Sequence, residues 1–357
     1  MHKPGHSMRA MVARLSAIVF FCVLTFALVG FSSSSAWSEP KDIKWGTGPV
    51  GSSGHKALVV LADLLNKEMP ELRITVLPYP GAVGTVKSFA TGDMDGYYGS
   101  EVALKELAAD TGRFKGFKDK IKIPPVQSFW CYTIDVGIAI KASDAGSIKK
   151  WSDLTGQNVY TGPLPFDTRL HLENAMAAAG VKHVYKQVDL STAGSQLNSG
   201  SIKGMLIYAA GGKTPAPWIA EASLAVDWVA LNPSPDEVAK LKAAGFAAEE
   251  VANFHKKQDN AAKVTLLPFY WGFDLGLGVS TDEIYKMLTV IERHADELAK
   301  SDPSYEQISG GKMAAFEKQA LESTYRLVPI HPGLAKYLKA RNQWDSKFDS
   351  HVAKATM

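Results

Sequence analysis

Ile43-Lys44-Trp45-Gly46-Thr47-Gly48-Pro49-Val50-Gly51-Ser52-Ser53-Gly54 sets the fold of this chain, because its centre recurs. Thr47-Gly48-Pro49 follows a short apolar strand and opens a helical run ending near Leu65. Thr161-Gly162-Pro163 follows Asn158-Val159-Tyr160 and opens another, ending near Ala179. Each is trailed by a second glycine-bounded phrase: Gly92-Asp93-Met94-Asp95-Gly96-Tyr97-Tyr98 after the first, Gly200-Ser201-Ile202-Lys203-Gly204-Met205-Leu206 after the second. The repetition predicts two lobes on one plan. Each offers a glycine loop and a helix start, so together they make a clamp for a small ligand rather than a catalyst.

Working outward, Ala57, Leu58, Leu61, Ala62 and Leu65 recur at helical spacing after the first loop. Arg73 to Leu77 alternates as a second strand, Val83 to Ala90 is a short helix, and Tyr97-Tyr98 sits in a third strand. This βαβαβ order calls for a mostly parallel sheet with right-handed crossovers. Phe129 to Ile140 is too long for one ordinary strand and can run from one lobe to the other. Ile148 to Leu154 and Arg169 to Ala179 are helical, Ile202 to Tyr208 is a strand, and Trp218 to Ala222, Asp236 to Ala243 and Ala248 to Lys256 are helices. Val264 to Phe273, with Pro268 inside it, is the second crossing. Ser280-Thr281-Asp282-Glu283 is a capping box. Ile284, Met287, Leu288, Ile291, Ala295 and Leu298 then mark one face of a long amphipathic helix. Gly310 to Tyr325 and Leu334 to Lys339 are the last two helices. The predicted division is 41–137 plus 266–357 as a discontinuous first lobe, 138–265 as the second, and hinges near 130–140 and 264–273.

Apolar residues make up 46% of the 357, enough for a real core. Lys3, Arg9 and Arg14 account for the whole formal charge of +3. Without the first 38 residues the chain is near neutral, which removes any bulk electrostatic case for nucleic acid. Those residues read as a secretory signal: a basic start, an apolar run from Leu15 to Phe31, then Ala36-Trp37-Ser38 with cleavage between Ser38 and Glu39. The alternative is an uncleaved membrane anchor, against which the run is shorter than the roughly 20 residues of a span. Export places the protein in the periplasm. Of the two cysteines, Cys22 lies in the apolar run and Cys131 between Trp130 and Tyr132, a buried and inert place. One cysteine in the exported part makes no internal disulfide.

Gly46-x-Gly48-x-x-Gly51 also has the dinucleotide-binding spacing. That alternative needs an acid after the second strand, and residues 72–92 contain no Asp or Glu. What remains is a loop whose amides and following helix start attract a small anion, with Ser52 and Ser53 as hydroxyl donors. A tight packing turn is the other meaning of such a loop. In the second lobe Arg169 is placed to make a two-pronged bond to a carboxylate, the alternative being a surface pair with Asp167 or Glu173. Tyr98, Ser100, Trp130, Tyr208 and Trp271 lie at strand ends or crossings, where aromatics wall a slot or simply pack. Asp93 and Asp95 read as turn residues rather than calcium ligands. Asp167 and His171, one helical turn apart, are two possible metal ligands and too few for a site. The candidate binding set is Gly48, Ser52, Ser53, His55, Tyr98, Ser100, Trp130, Thr168, Arg169, Tyr208 and Gly211, with no catalytic residue, cofactor or metal expected.

The order and spacing of these segments resemble the TAXI-type solute-binding proteins of tripartite ATP-independent periplasmic (TRAP) transporters. The resemblance rests on Ile43 to Leu65, with Gly46-Thr47-Gly48 and Ala62-Asp63-Leu64, and on Gly92-Asp93-Met94-Asp95, Ile148 to Gly162, Leu197 to Met205 and His331-Pro332-Gly333 with Tyr337. It covers nearly all of 41–342. It implies an α/β, two-lobed type II periplasmic-binding-protein fold that closes on a small organic anion, a carboxylate or an amino acid such as glutamate. Delivery to a TRAP-type membrane permease, action as a monomer and no enzymatic activity are implied with it. A sensor docking on a membrane receptor, or an exported enzyme using the same cleft, are the alternatives. The chain departs from the family pattern at Gly54-His55, where a Tyr-Tyr pair is usual, and at Pro165-Phe166-Asp167, in place of a Gly/Ser-rich stretch.

Overall fold

Burial on both faces makes a strand read as an unbroken apolar run, and the two longest such runs are the middle of this protein. The computed structural model describes residues 39–254 and 263–354. The proposed signal at 1–38, and Cys22 with it, lies outside the described residues. Strands are β1 (Lys41–Thr47), β2 (Leu72–Pro78), β3 (Gly96–Ser100), β4 (Trp130–Lys141), β5 (Asn158–Tyr160), β6 (Val184–Tyr185), β7 (Gly204–Ala210), β8 (Thr214–Pro215), β9 (Trp228–Ala230), β10 (Glu249–Ala252) and β11 (Lys263–Leu275). Their main path runs β2-β1-β3-β11-β4-β7-β5-β6, with β10 on β11, β8 on β7 and β9 on β4.

The parallel βαβ expectation holds in the flanks: β1 is parallel to β3, and β5 is parallel to both β6 and β7. The flanks belong to one continuous sheet, joined by β4 and β11 running antiparallel to each other. Each of these two strands changes partner along its length. Trp130 to Val136 of β4 pairs with β11, and Ile134 to Ala139 pairs with β7. Leu267 to Gly272 of β11 pairs with β4, and Trp271 to Leu275 pairs with β3. The register slips between Trp271 and Gly272. A Cβ at Gly272 would sit 2.7 Å from the Phe129 carbonyl, so the slip needs glycine there.

Helices α1 (Ser53–Glu68), α2 (Ala82–Thr91) and α3 (Glu101–Ala109) follow the strands of the first flank. Those of the second are α4 (Asp167–Ala179), α5 (Ala193–Asn198), α6 (Pro217–Ala225) and α7 (Pro235–Ala243). After β11 come α8 (Thr281–Arg293), α9 (Ala295–Ser301), α10 (Met313–Thr324) and α11 (Pro332–Ala340). Ser280 and Glu283 form the expected capping box. No helix of the described residues is long and apolar enough to cross a membrane.

Three local expectations need correction. Within the helix expected over 248–256, Glu249–Ala252 form strand β10, paired with Val264 and its neighbours on β11; the ladder outweighs the helical preference of Ala and Glu. The long helix over 284–298 is two helices broken at His294, yet its apolar face stays buried from Ile284 to Leu298. Residues 148–154 supply only a 3-10 turn, Trp151–Leu154. Helix α3 went unforeseen.

Candidate functional site

The first corner begins where β1 runs out at Thr47. The chain turns, the Ser52 amide donates to the Pro49 carbonyl at 3.0 Å, and the Ser52 Oγ caps α1 by accepting from the His55 amide at 3.2 Å. The amides of Ser53 and Gly54, at the first helical positions, precede any intrahelical acceptor. The hydroxyl end of Tyr98, on β3, lies against Gly54: an added Cβ there would stand 2.5 Å from the ring. The Tyr98 ring stacks on Trp271 with centroids 4.5 Å apart, and its hydroxyl lies 2.8 Å from that of Tyr132. Burial holds the Tyr98 phenol well above its ordinary range, hence protonated.

The second corner follows β5 and opens α4. Phe166 is its N-cap residue and supplies no side-chain bond to the free amides. Asp167, the first helical residue, is buried and reaches across to the first flank. Its Oδ2 accepts from the Ser100 Oγ at 2.6 Å, while the Ser100 Oγ also caps α3 by accepting from the Ala103 amide. Its Oδ1 accepts from the Arg113 guanidinium, whose Nε donates to Glu106 at 2.6 Å and which also reaches the Pro165 carbonyl. Burial pushes the Asp167 carboxyl up, against the pull of Arg113 and Ser100. Desolvation works against the Arg113 charge, and Asp167 and Glu106 more than offset it.

Between the corners lies a cavity of about 40 Å³. The first flank lines it with Gly48, Pro49, Ser52, Ser53, Gly54, Gly81, Ala82 and Tyr98. The crossing strands give Ile134 and Trp271, and the second flank Phe166, Asp167, Thr168 and Tyr208. Among the described residues, the Trp271 Nε1 and Thr168 Oγ1 atoms are buried without a hydrogen-bond partner. A larger cleft, about 840 Å³, opens beside α3, α4 and α10. Its charges include the exposed Glu101–Lys105 pair on α3, and neither glycine loop reaches it. Convergence of both corners, not volume, singles out the smaller cavity.

Of the expected residues, Gly48, Ser52, Ser53, Tyr98, Thr168 and Tyr208 surround the cavity. Ser100 stands one bond back, holding Asp167. Four others lie off its wall. His55 is half-buried on α1 and meets the site only through its backbone bond to Ser52. Trp130 is in the core, its indole donating to Gln127 Oε1 at 3.1 Å. Arg169 lies over the Tyr185 ring, 4.2 Å from its centroid, and 3.6 Å from Glu173, the alternative its sequence allowed. Gly211 forms the turn between β7 and β8 and packs on Gln307. Asp167 and His171 diverge: the first spans to Arg113, the second stacks on Phe269 at 4.4 Å, where burial lowers its pKa to about 3. Trp271 and Asp167 carried signals in the sequence, a crossing aromatic and a helix-start acid. Arg113, in a short 3-10 turn, carried none.

No family model matches the chain, and no curated protein does. Among solved structures it is similar to the periplasmic aliphatic sulphonate binding protein SsuA from Escherichia coli, at 15% identity over 87% of this chain and 89% of that one, with a TM-score of 0.42. It is similar also to the ligand binding component of an ABC-type import system from Staphylococcus aureus with zinc bound, at 10% identity, 83% and 98% coverage and a TM-score of 0.45. The second substrate-binding domain of GlnP from Lactococcus lactis, in open conformation, matches at 15% identity, 76% and 96% coverage and a TM-score of 0.40. Likeness at this level transfers no ligand and no partner.

Proposed function

We propose that this chain is an extracytoplasmic solute receptor that closes two lobes over one small organic anion and hands it, as a monomer, to a TRAP-type membrane permease. The lobes are 41–137 with 266–357, and 138–265; β4 and β11 are the hinge, and residues 1–38 are the export signal removed before Glu39. The observation that carries this reading is the cavity itself. The first glycine corner, the start of α4 that follows the second, and both crossing strands wall it. Only a closed form touches a ligand from both sides, so binding shifts an open–closed equilibrium. A thermal-shift screen of small organic acids tests it. A true ligand at 100 times its Kd stabilises by about 2.7 kcal/mol; a panel in which no acid moves the transition refutes the receptor.

A further inference from the structure

The second corner is fastened to the first flank by the chain's own groups. Asp167, at the start of α4, is only 1% exposed, and each of its oxygens has a donor from that flank: the Ser100 hydroxyl at 2.6 Å and the Arg113 guanidinium. A buried ion pair offsets its desolvation when the geometry is good and further hydrogen bonds meet the remaining lone pairs. Ser100 supplies such a bond, and Glu106 fixes Arg113 by accepting from its Nε. The backbones close in at the same place. Arg113 also donates to the Pro165 carbonyl at 3.3 Å, and a Cβ at Gly81 would stand 3.1 Å from that oxygen. Gly81, Ser100, Glu106 and Arg113 belong to the proposed lobe 41–137, Asp167 and Pro165 to 138–265. The same two lobes also meet through Lys213 and Glu306, 2.7 Å apart, but these side chains are 70% and 43% exposed, and an ion pair so exposed contributes little.

The space left between the corners is small. A water needs at least about 10–15 Å³, so a cavity of about 40 Å³ takes roughly three of them. An organic acid is larger, and the lobes part to take one in. The bonds from Asp167 to Ser100 and Arg113 join one lobe to the other, so they exist only while the lobes are together. Resting on the two-lobe reading, we infer that Asp167, Ser100 and Arg113 form an interlobe latch: the chain's own carboxylate holds the lobes shut and sets the fraction of molecules open to a ligand. Any ligand then meets a form populated only as often as the latch breaks.

Spin labels on cysteines at Val50 and Leu164, exposed positions just past the two Thr-Gly-Pro turns and one on each lobe, test this by pulsed dipolar spectroscopy. The full chain carries Cys22→Ser, and Cys131 is buried, so the two new thiols take the labels. The expected parent distribution is one narrow, short distance. Asp167→Asn, which keeps the shape and removes the charge, raises a longer-distance population about tenfold. Arg113→Lys, which keeps the charge and loses the guanidinium fork, does the same and serves if the Asp167 variant does not fold. Lys213→Ala leaves the distribution as it was. A parent dominated by the longer distance, or parental distances in both Asp167→Asn and Arg113→Lys, overturns the latch. So does a shift in Lys213→Ala as large as that in Asp167→Asn, since any contact across the lobes would then hold them equally well. The measurement needs no ligand, so a failed latch leaves the receptor reading standing, and a failed acid screen leaves the latch.

Discussion

The two corners start from the same three residues and end in opposite states. Thr47-Gly48-Pro49 leads to a helix whose cap is internal: Ser52 satisfies the His55 amide, while Ser53 and Gly54, whose amides precede any intrahelical acceptor, line the cavity. Thr161-Gly162-Pro163 leads to a helix without a side-chain cap, and its first residue crosses to the other flank and is clamped there by Arg113 and Ser100. One corner presents donors and the other carries its own carboxylate. A repeat in sequence therefore need not be a repeat in chemistry: the side chains just past the glycine decide whether a helix start is open to a ligand or taken up by the chain.

The hardest way to break this contrast is to remove the clamp. Arg113→Ala leaves a buried carboxylate without its cation, which costs about 3–5 kcal/mol for fully buried pairs. Arg113 is partly solvated, with a side-chain exposure of 22%, so the low end of that range is expected. Urea unfolding measures the loss, and adding Asp167→Asn to the same chain should restore at least half of it. A single variant that loses under about 1 kcal/mol would mean that the second corner is not held by this pair.

The first corner breaks differently, through space rather than charge. Gly54→Ala puts a methyl group where the Tyr98 ring lies. Overpacking of this kind costs about 1–3 kcal/mol, and displacing Tyr98 closes a cavity that has little volume to lose. Loss of ligand response in a variant that still melts cooperatively is the expected outcome. Full binding by Gly54→Ala would place the ligand elsewhere.

Legibility in the sequence divides along the same line. Segments defined by local pattern were readable: the β1–α1 corner, the two long apolar runs that became β4 and β11, and the Ser280–Glu283 cap. Segments defined by a distant partner were not. β10 is a strand because β11 offers it an edge, and Arg113 matters because Asp167, 54 residues away, folds back to meet it. Trp130 and Trp271 look alike as crossing aromatics. Side-chain alternation, together with the register of β4 on β11, sends one to Gln127 and the core and the other to the cavity. The six expected residues that do surround the cavity come from the glycine loop, the strand ends and the α4 start, where position alone is informative. Arg169 shares the α4 start, but its long side chain had local partners to choose instead.

A second buried acid sharpens the contrast by lacking what Asp167 has. Asp274 on β11 accepts from the amides of Ser128 and Phe129 and, among the described residues, has no cation and leaves Oδ2 unpartnered. Burial raises its pKa to about 7, and the groups around it, Glu317, Tyr97 and Cys131, carry no positive charge. The folded pKa lies above the unfolded value near 3.8, so the native state holds the extra proton between the two. Stability from this group is full below about pH 4 and is lost as pH rises towards 7, by at most about 1.4 kcal/mol per pH unit. Asp274→Asn should flatten the stability profile over that window relative to the unaltered protein. Parallel profiles would show that Asp274 is already ionised when folded.

The smallest expected effect falls on the residue that sequence made most attractive. Arg169 stands two positions past Asp167 on the same helix start, and position alone gives it a tenfold share in binding a carboxylate. In the structure its guanidinium covers the Tyr185 ring and faces Glu173, away from the cavity wall. Cation–π and partly exposed ion-pair contacts of this sort each contribute about 0.5–1 kcal/mol. Arg169→Ala should therefore lower stability by roughly that amount and change ligand affinity less than about twofold, under 0.5 kcal/mol. A tenfold loss in calorimetry would return Arg169 to the site. The second corner would then meet its ligand with a cation of its own, and Asp167 would be a neighbour rather than the occupant.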